Sequence, residues 1–128
     1  MEFWNVLMNK NCQKGMWMTV FSIVMAVTWF LAGGVLLFVA IKAGRGTLPK
    51  NDWVGIRTLP LLESDEAWVE GHRAAANSLK MSSVPLFVGG VICLVADDSF
   101  IAWVSIVVAV LLLVMTLVAA RKAHAVLE

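Results

Sequence analysis

The chain is built from three long uncharged apolar runs separated by short polar stretches. No charged residue occurs from Trp17 to Ile41, from Met81 to Ala96, or from Phe100 to Ala120. At ~1.5 Å of rise per helical residue, the first run reaches ~37 Å and the third ~31 Å, enough to cross a hydrocarbon core of ~30 Å. The second reaches only ~24 Å and carries Pro85, Gly89 and Gly90, so its length is marginal for a span. The pattern predicts an all-α, helical integral membrane protein. It has three transmembrane helices, at about residues 17–41, 81–96 and 100–120, in a single membrane domain over 1–128. An interfacial N-terminal helix and an amphipathic helix within the loop 42–80 complete it.

Asp97 and Asp98 stand between the second and third runs with almost no linker. Each carboxylate would cost roughly 2.5–3.5 kcal/mol at the bilayer centre, so the pair marks a tight turn in water or headgroups. Near the N-terminus, Phe3 and Leu7, and Trp4 and Met8, fall at helical spacing among polar residues, as in a short helix lying on the outer leaflet.

Composition agrees with the pattern. The hydrophobic fraction is 60% and the mean hydropathy +0.83, whereas soluble domains are roughly 45–50% apolar. A net charge of +1 gives no electrostatic case for nucleic acid. The placement of the basic residues says more. Lys42, Arg45, Lys50, Arg57, Arg73, Lys80, Arg121 and Lys122 fall on one side of a three-span topology, and only Lys10 and Lys14 on the other. The positive-inside rule then puts the N-terminus outside and the 42–80 loop and C-terminus in the cytoplasm. A re-entrant second run would move Arg121 and Lys122 outside, against that rule.

Cys93 lies in an apolar run and Cys12 in a polar stretch, so a disulfide between them is not expected. Trp17 and Trp103 suit aromatic belts, Trp53 and Trp68 lie near predicted interfaces, and Trp29 falls at mid-depth. Small residues suggest helix contacts: Ser22, Ala26 and Gly33-Gly34 in the first span, Gly89-Gly90 in the second, Ser105 and Ala109 in the third. No ionisable residue lies inside a span, which argues against a proton relay or an ion pathway.

The stretch Asn51 to Ala76, NDWVGIRTLPLLESDEAWVEGHRAAA, carries chemistry beyond anchoring. Ser64 is a helix N-cap, with Asp65 and Glu66 in the first turn where they suit the helix dipole. The helix is expected to run to about Ser83, because Pro85 disfavours helical geometry at Val84. Trp68, His72, Ala75, Ala76 and Leu79 form one stripe; Asp65, Glu66, Glu70, Arg73, Asn77 and Lys80 occupy the remainder. The first half of the stretch is not helical by pattern. Lys50-Asn51-Asp52 is a turn, Gly55 gives backbone freedom or close approach, and Pro60 stiffens the segment. Arg57 is suited to a lipid phosphate, to pairing with Glu63 or Asp65, or to capping helix carbonyls. His72 is either a pH-responsive group or a hydrogen-bonded interfacial histidine, with no second ligand at zinc spacing. His124 reads as solvated surface. No nucleophile–base pair, metal set or intramembrane polar site is evident, so neither catalysis nor a cofactor is expected.

At this loop the sequence resembles the SdpI family of small bacterial membrane proteins. The resemblance rests on Asn51, then Gly55-Ile56-Arg57-Thr58, then Ser64 with Trp68, and His72-Arg73. The family usually has a second threonine three residues after the first; here that position is Leu61, preceded by Pro60. The resemblance implies a protein of the bacterial cytoplasmic membrane. It implies immunity to a secreted membrane-active toxin, or signalling that sequesters a cytoplasmic transcriptional repressor. Asn51, Gly55, Arg57, Thr58, Ser64, Trp68 and His72 are then the candidate partner- or lipid-binding residues. The competing expectation is a non-catalytic accessory subunit of a larger membrane complex. Besides the lipid bilayer, a membrane protein partner is expected, either a second copy or a larger assembly.

Overall fold

The computed structural model describes the backbone throughout and the side chains of residues 1–6, 8–9 and 20–128. The expectations that concern the side chains of Leu7, Lys10, Cys12, Lys14 and Trp17 fall outside the described residues. The chain forms four helices: α1 (Glu2–Gly44), α2 (Leu59–Leu62), α3 (Asp65–Val95) and α4 (Asp98–Ala125). Three of them are long and apolar enough to cross a membrane, over Val20–Gly44, Asp65–Val95 and Asp98–Ala125. The protein is an all-α, multi-pass membrane protein.

Two predicted boundaries are absent. The N-terminal helix and the first span are one helix, α1. The loop helix and the second span are likewise one helix, α3, which passes through Pro85 to Val95. A proline deprives one helical carbonyl of its partner, but in a membrane an extended break would expose still more backbone to hydrocarbon. Continuity is therefore the cheaper arrangement, and packing on both sides holds it. At 31 residues α3 is ~46 Å long, so the short second run is only the apolar part of a helix that projects well beyond ~30 Å of hydrocarbon.

The hairpin at Asp97 is as expected. Asp97 caps α4, its carboxylate accepting the Phe100 N–H at 3.1 Å. α3 lies between the other two spans, packing along both α1 and α4, while α1 and α4 barely meet. Glycines permit the close approaches. A Cβ on Gly33 would stand 3.2 Å from Leu86 Cβ, one on Gly90 3.1 Å from Phe30, and one on Gly89 3.1 Å from Val108. Association in lipid depends on such backbone proximity rather than on a hydrophobic drive. The small-residue reading was incomplete. Gly34 faces open space, and Ala109 is exposed. The α4 contact face is Ile101, Val108, Ala119 and Ala123.

One end of the bundle is held by Ala26, Cys93 and Ile101. At the other end, Ala40, Leu61, Ala75, Leu79, Ala119 and Ala123 join all four helices. Beside them Val39, Ala43, Leu48, Trp68 and Ala76 form a second cluster. The loop end of the bundle is therefore where the motif residues meet the spans.

Candidate functional site

The site is the loop from Thr47 to Ser64, together with the first turns of α3 and the last turns of α4. The chain enters it through Gly46, whose φ of +69° turns it out of α1. Asn51 then organises a tight turn. Its Oδ1 accepts the Trp53 and Val54 N–H groups at 3.0 and 2.7 Å, and its Nδ2 donates to the Pro49 carbonyl at 2.9 Å. An asparagine satisfies its own backbone in this way, which is why it suits the position.

The predicted α3 stripe is the face on which the loop rests. Trp68, His72, Ala75, Ala76 and Leu79 are all buried, and the six polar residues between them are all exposed. The Trp68 indole N–H donates to the Leu48 carbonyl at 3.1 Å, so Trp68 is a core residue and not an interfacial one. Its ring lies against the His72 imidazole, with centroids 4.2 Å apart. His72 Nδ1 lies 2.8 Å from the Trp68 carbonyl and must carry the proton there, because a carbonyl only accepts. Nε2 is left as an acceptor, and it receives the Ile56 N–H at 2.8 Å. His72 is thus held as a neutral imidazole with both nitrogens in use.

Gly55 is fitted to that pair. Its φ is +119°, and a Cβ placed on it would lie 2.6 Å from His72 Nε2 and 3.0 Å from Trp68 Cη2. Both the backbone geometry and the space exclude a side chain. The Gly55 and His72 of the motif are therefore two halves of one contact.

Thr58 reaches the third span. Its Oγ1 lies 2.6 Å from His124 Nε2, across 66 residues of chain. His124 is half-buried, which corrects its reading as a solvated tail residue. Thr58 also starts α2, with its carbonyl accepting the Leu61 and Leu62 N–H groups and Pro60 in the first turn. This one-turn helix was not expected from pattern. It drives Leu61 into the junction of the helices, where it is fully buried and sits 3.0 Å from the position a Gly71 Cβ would take. The departure from the usual threonine thus places a hydrocarbon where a hydroxyl would need a partner.

Arg57 turns outward. Its Nη1 donates to the Asp52 carbonyl at 2.8 Å, and its Nη2 lies 3.4 Å from the Asp52 carboxylate. The partner is Asp52, not Glu63 or Asp65. Both groups are well exposed, so the ion pair adds little to stability. Ser64 caps α3, its hydroxyl accepting the Ala67 N–H at 3.0 Å. Lys50 Nζ closes the loop on itself by donating to the Leu62 carbonyl at 2.6 Å.

The structure thus divides the seven sequence-derived residues. Gly55, Trp68 and His72 form one packed group, Thr58 bonds to α4, and Asn51 and Ser64 order the loop at its two ends. Arg57 faces solvent with Trp53, which is 91% exposed. Sequence reasoning missed Leu48, Asp52, Leu61 and His124. Asp52 was within reach, since it is the nearest acidic residue to Arg57; nothing in the pattern pairs 58 with 124. Among the described residues no group of three or more His, Cys, Asp or Glu side chains is placed to hold a metal.

The SdpI/YfhL protein family model matches residues 47–120, which includes the loop, α3 and most of α4. No curated protein and no solved structure matches the chain.

Proposed function

Because this chain belongs to the SdpI/YfhL protein family, we propose that it is a non-catalytic membrane protein of immunity or signalling. In this reading the N-terminus is outside, and the loop and C-terminus lie on the cytoplasmic face of a bacterial membrane. A membrane-active toxin meets the spans, and the loop reports to a cytoplasmic partner such as a repressor. The observation that supports it is the attachment of one loop to all three spans. Leu48 packs with Val39 and Ala43 of α1 and accepts from Trp68 of α3, Ile56 binds His72 of α3, and Thr58 binds His124 of α4. A change in how the spans pack alters the footing of the loop, and with it the exposed Trp53 and Arg57. Such a mechanism needs two packings with different affinity for the toxin.

A second reading is an accessory subunit, or a homo-oligomer. It is favoured by the exposed apolar faces of α1 and α4, which include Val27 and Leu31 on α1 and Val107, Val110 and Val114 on α4. A neighbouring helix would pack on them.

The test is a pull-down of tagged protein in mild detergent, with and without Arg57→Ala, read by mass spectrometry. Capture of a soluble DNA-binding protein that is lost with Arg57→Ala supports signalling. A single large membrane complex at fixed ratio, unaffected by Arg57→Ala, overturns it in favour of the accessory subunit.

A further inference from the structure

Because α1 and α4 both pack on α3 but barely on each other, a groove of about 680 Å³ opens between them. This lies within the ~300–1,000 Å³ of small-ligand sites. Leu31 and Val35 line one wall, Leu112 and Ala120 the other, and Leu86 the floor. Val54, Gly55 and Ile56 close its loop-side end.

The lining chemistry narrows the occupant. Thr116 is the one polar side chain in it, and its single hydroxyl hydrogen is already directed at the Leu112 and Leu113 carbonyls. The side chains therefore offer an occupant no hydrogen-bond donor and at most one weak acceptor, which calls for hydrocarbon. A spanning helix of another protein is a poor fit, since it needs a furrow along ~30 Å of bilayer. Along α1 the groove runs from Leu31 to Val39, ~12 Å, and then meets the loop. An acyl chain occupies only one leaflet, ~15 Å, and suits a groove closed at one end.

Charge at the closed end completes the argument. Lys42 follows Val35 by two helical turns on the same face of α1, with its Nζ 5.5 Å from the Phe38 ring centroid. Arg57 adjoins the lining residue Ile56 and is 44% exposed; its ion pair with Asp52 is long, at 3.4 Å, and open to solvent, so a phosphate would share the guanidinium with that carboxylate. No acidic residue lines the groove. We propose that this groove holds one acyl chain of an anionic phospholipid from the loop-side leaflet, with its phosphate between Lys42 and Arg57. The site shares Arg57 with the immunity or signalling reading but does not depend on that reading; Ala120→Phe and Lys42→Gln test it without touching Arg57.

The test places the full chain in nanodiscs of phosphatidylglycerol and phosphatidylcholine at equal amounts, then counts lipids retained by native mass spectrometry. One retained phosphatidylglycerol per chain is expected. Ala120→Phe, which fills the groove, should lower retention at least about tenfold. Gly34→Ala, at a position with nothing within 4 Å, should leave it unchanged and serves as the folding control. Lys42→Gln and Arg57→Gln should each reduce the preference for phosphatidylglycerol about fivefold. Absence of any retained lipid, equal retention by Ala120→Phe, or no preference between the two headgroups would overturn the proposal. So would a dimer with cysteines placed at Val35 and Leu112 cross-linking between copies, since the groove would then be filled by protein.

Discussion

The Ile56 backbone N–H donates to Nε2 of His72 at 2.8 Å, and this bond joins a loop without regular structure to a fully buried side chain of the central span. It exists because the other ring nitrogen donates to the Trp68 carbonyl, one turn earlier on the same helix, which fixes the tautomer. The helix thus sets the acceptor, and the loop comes to it.

His72→Ala removes that acceptor and leaves a cavity beside Trp68. The expected loss is about 2–4 kcal/mol, from an unsatisfied amide and lost packing together. His72→Gln retains a side-chain acceptor and should recover part of it. Thermal unfolding in detergent checks the order wild type, Gln, Ala. Hydrogen exchange at the Ile56 amide should accelerate most in the alanine variant; protection unchanged in His72→Ala would show that the bond does not hold the loop.

Gly55→Ala is expected to destabilise by about 1–3 kcal/mol, because it combines a strained φ of +119° with a collision at His72 Nε2. Gly34→Ala, with open space around it, should be neutral or slightly stabilising through its helix propensity. Parallel melting curves of the two variants decide this. Equal behaviour would contradict the contact.

Thr58→Val and His124→Ala remove the same contact from its two ends. A double-mutant cycle should show coupling of about 0.5–1.5 kcal/mol, with Thr58→Ser close to wild type. Additive losses would mean that the loop and α4 are energetically independent, despite the 2.6 Å separation.

Leu61→Thr restores the residue usual in the family at that position. In this chain it should cost about 1–3 kcal/mol, because the hydroxyl enters a site lined by Ala40, Ala75, Leu79, Ala119 and Ala123. Ser64→Ala should cost less, about 1 kcal/mol, through loss of the α3 cap. Urea-induced or thermal unfolding with Leu61→Thr no less stable than Ser64→Ala would argue against the buried role of Leu61.

Much of the membrane architecture was legible because it follows from short-range rules. Charge-free runs marked the three spans, Asp97-Asp98 the hairpin, Ser64 the start of α3, and the spacing of Trp68, His72, Ala75, Ala76 and Leu79 the buried face. Errors arose where long-range packing overrode a local preference. Pro85 is a local breaker, yet α3 continues through it between two neighbouring spans. Arg57 had several acidic residues in reach by sequence, and the Asn51 turn selected Asp52 by bringing that residue alongside it.

The sequence by itself determined that this chain spans a bilayer with helices and carries a capped, amphipathic motif segment, since hydropathy and periodicity act within a few turns. Only the tertiary structure decided that Ile56 meets His72, that Thr58 meets His124, and that α1 and α4 part to leave a groove. Those depend on three helices docking with a particular rotation and tilt. Residues 66 apart carry no local signal of one another until the helices have packed.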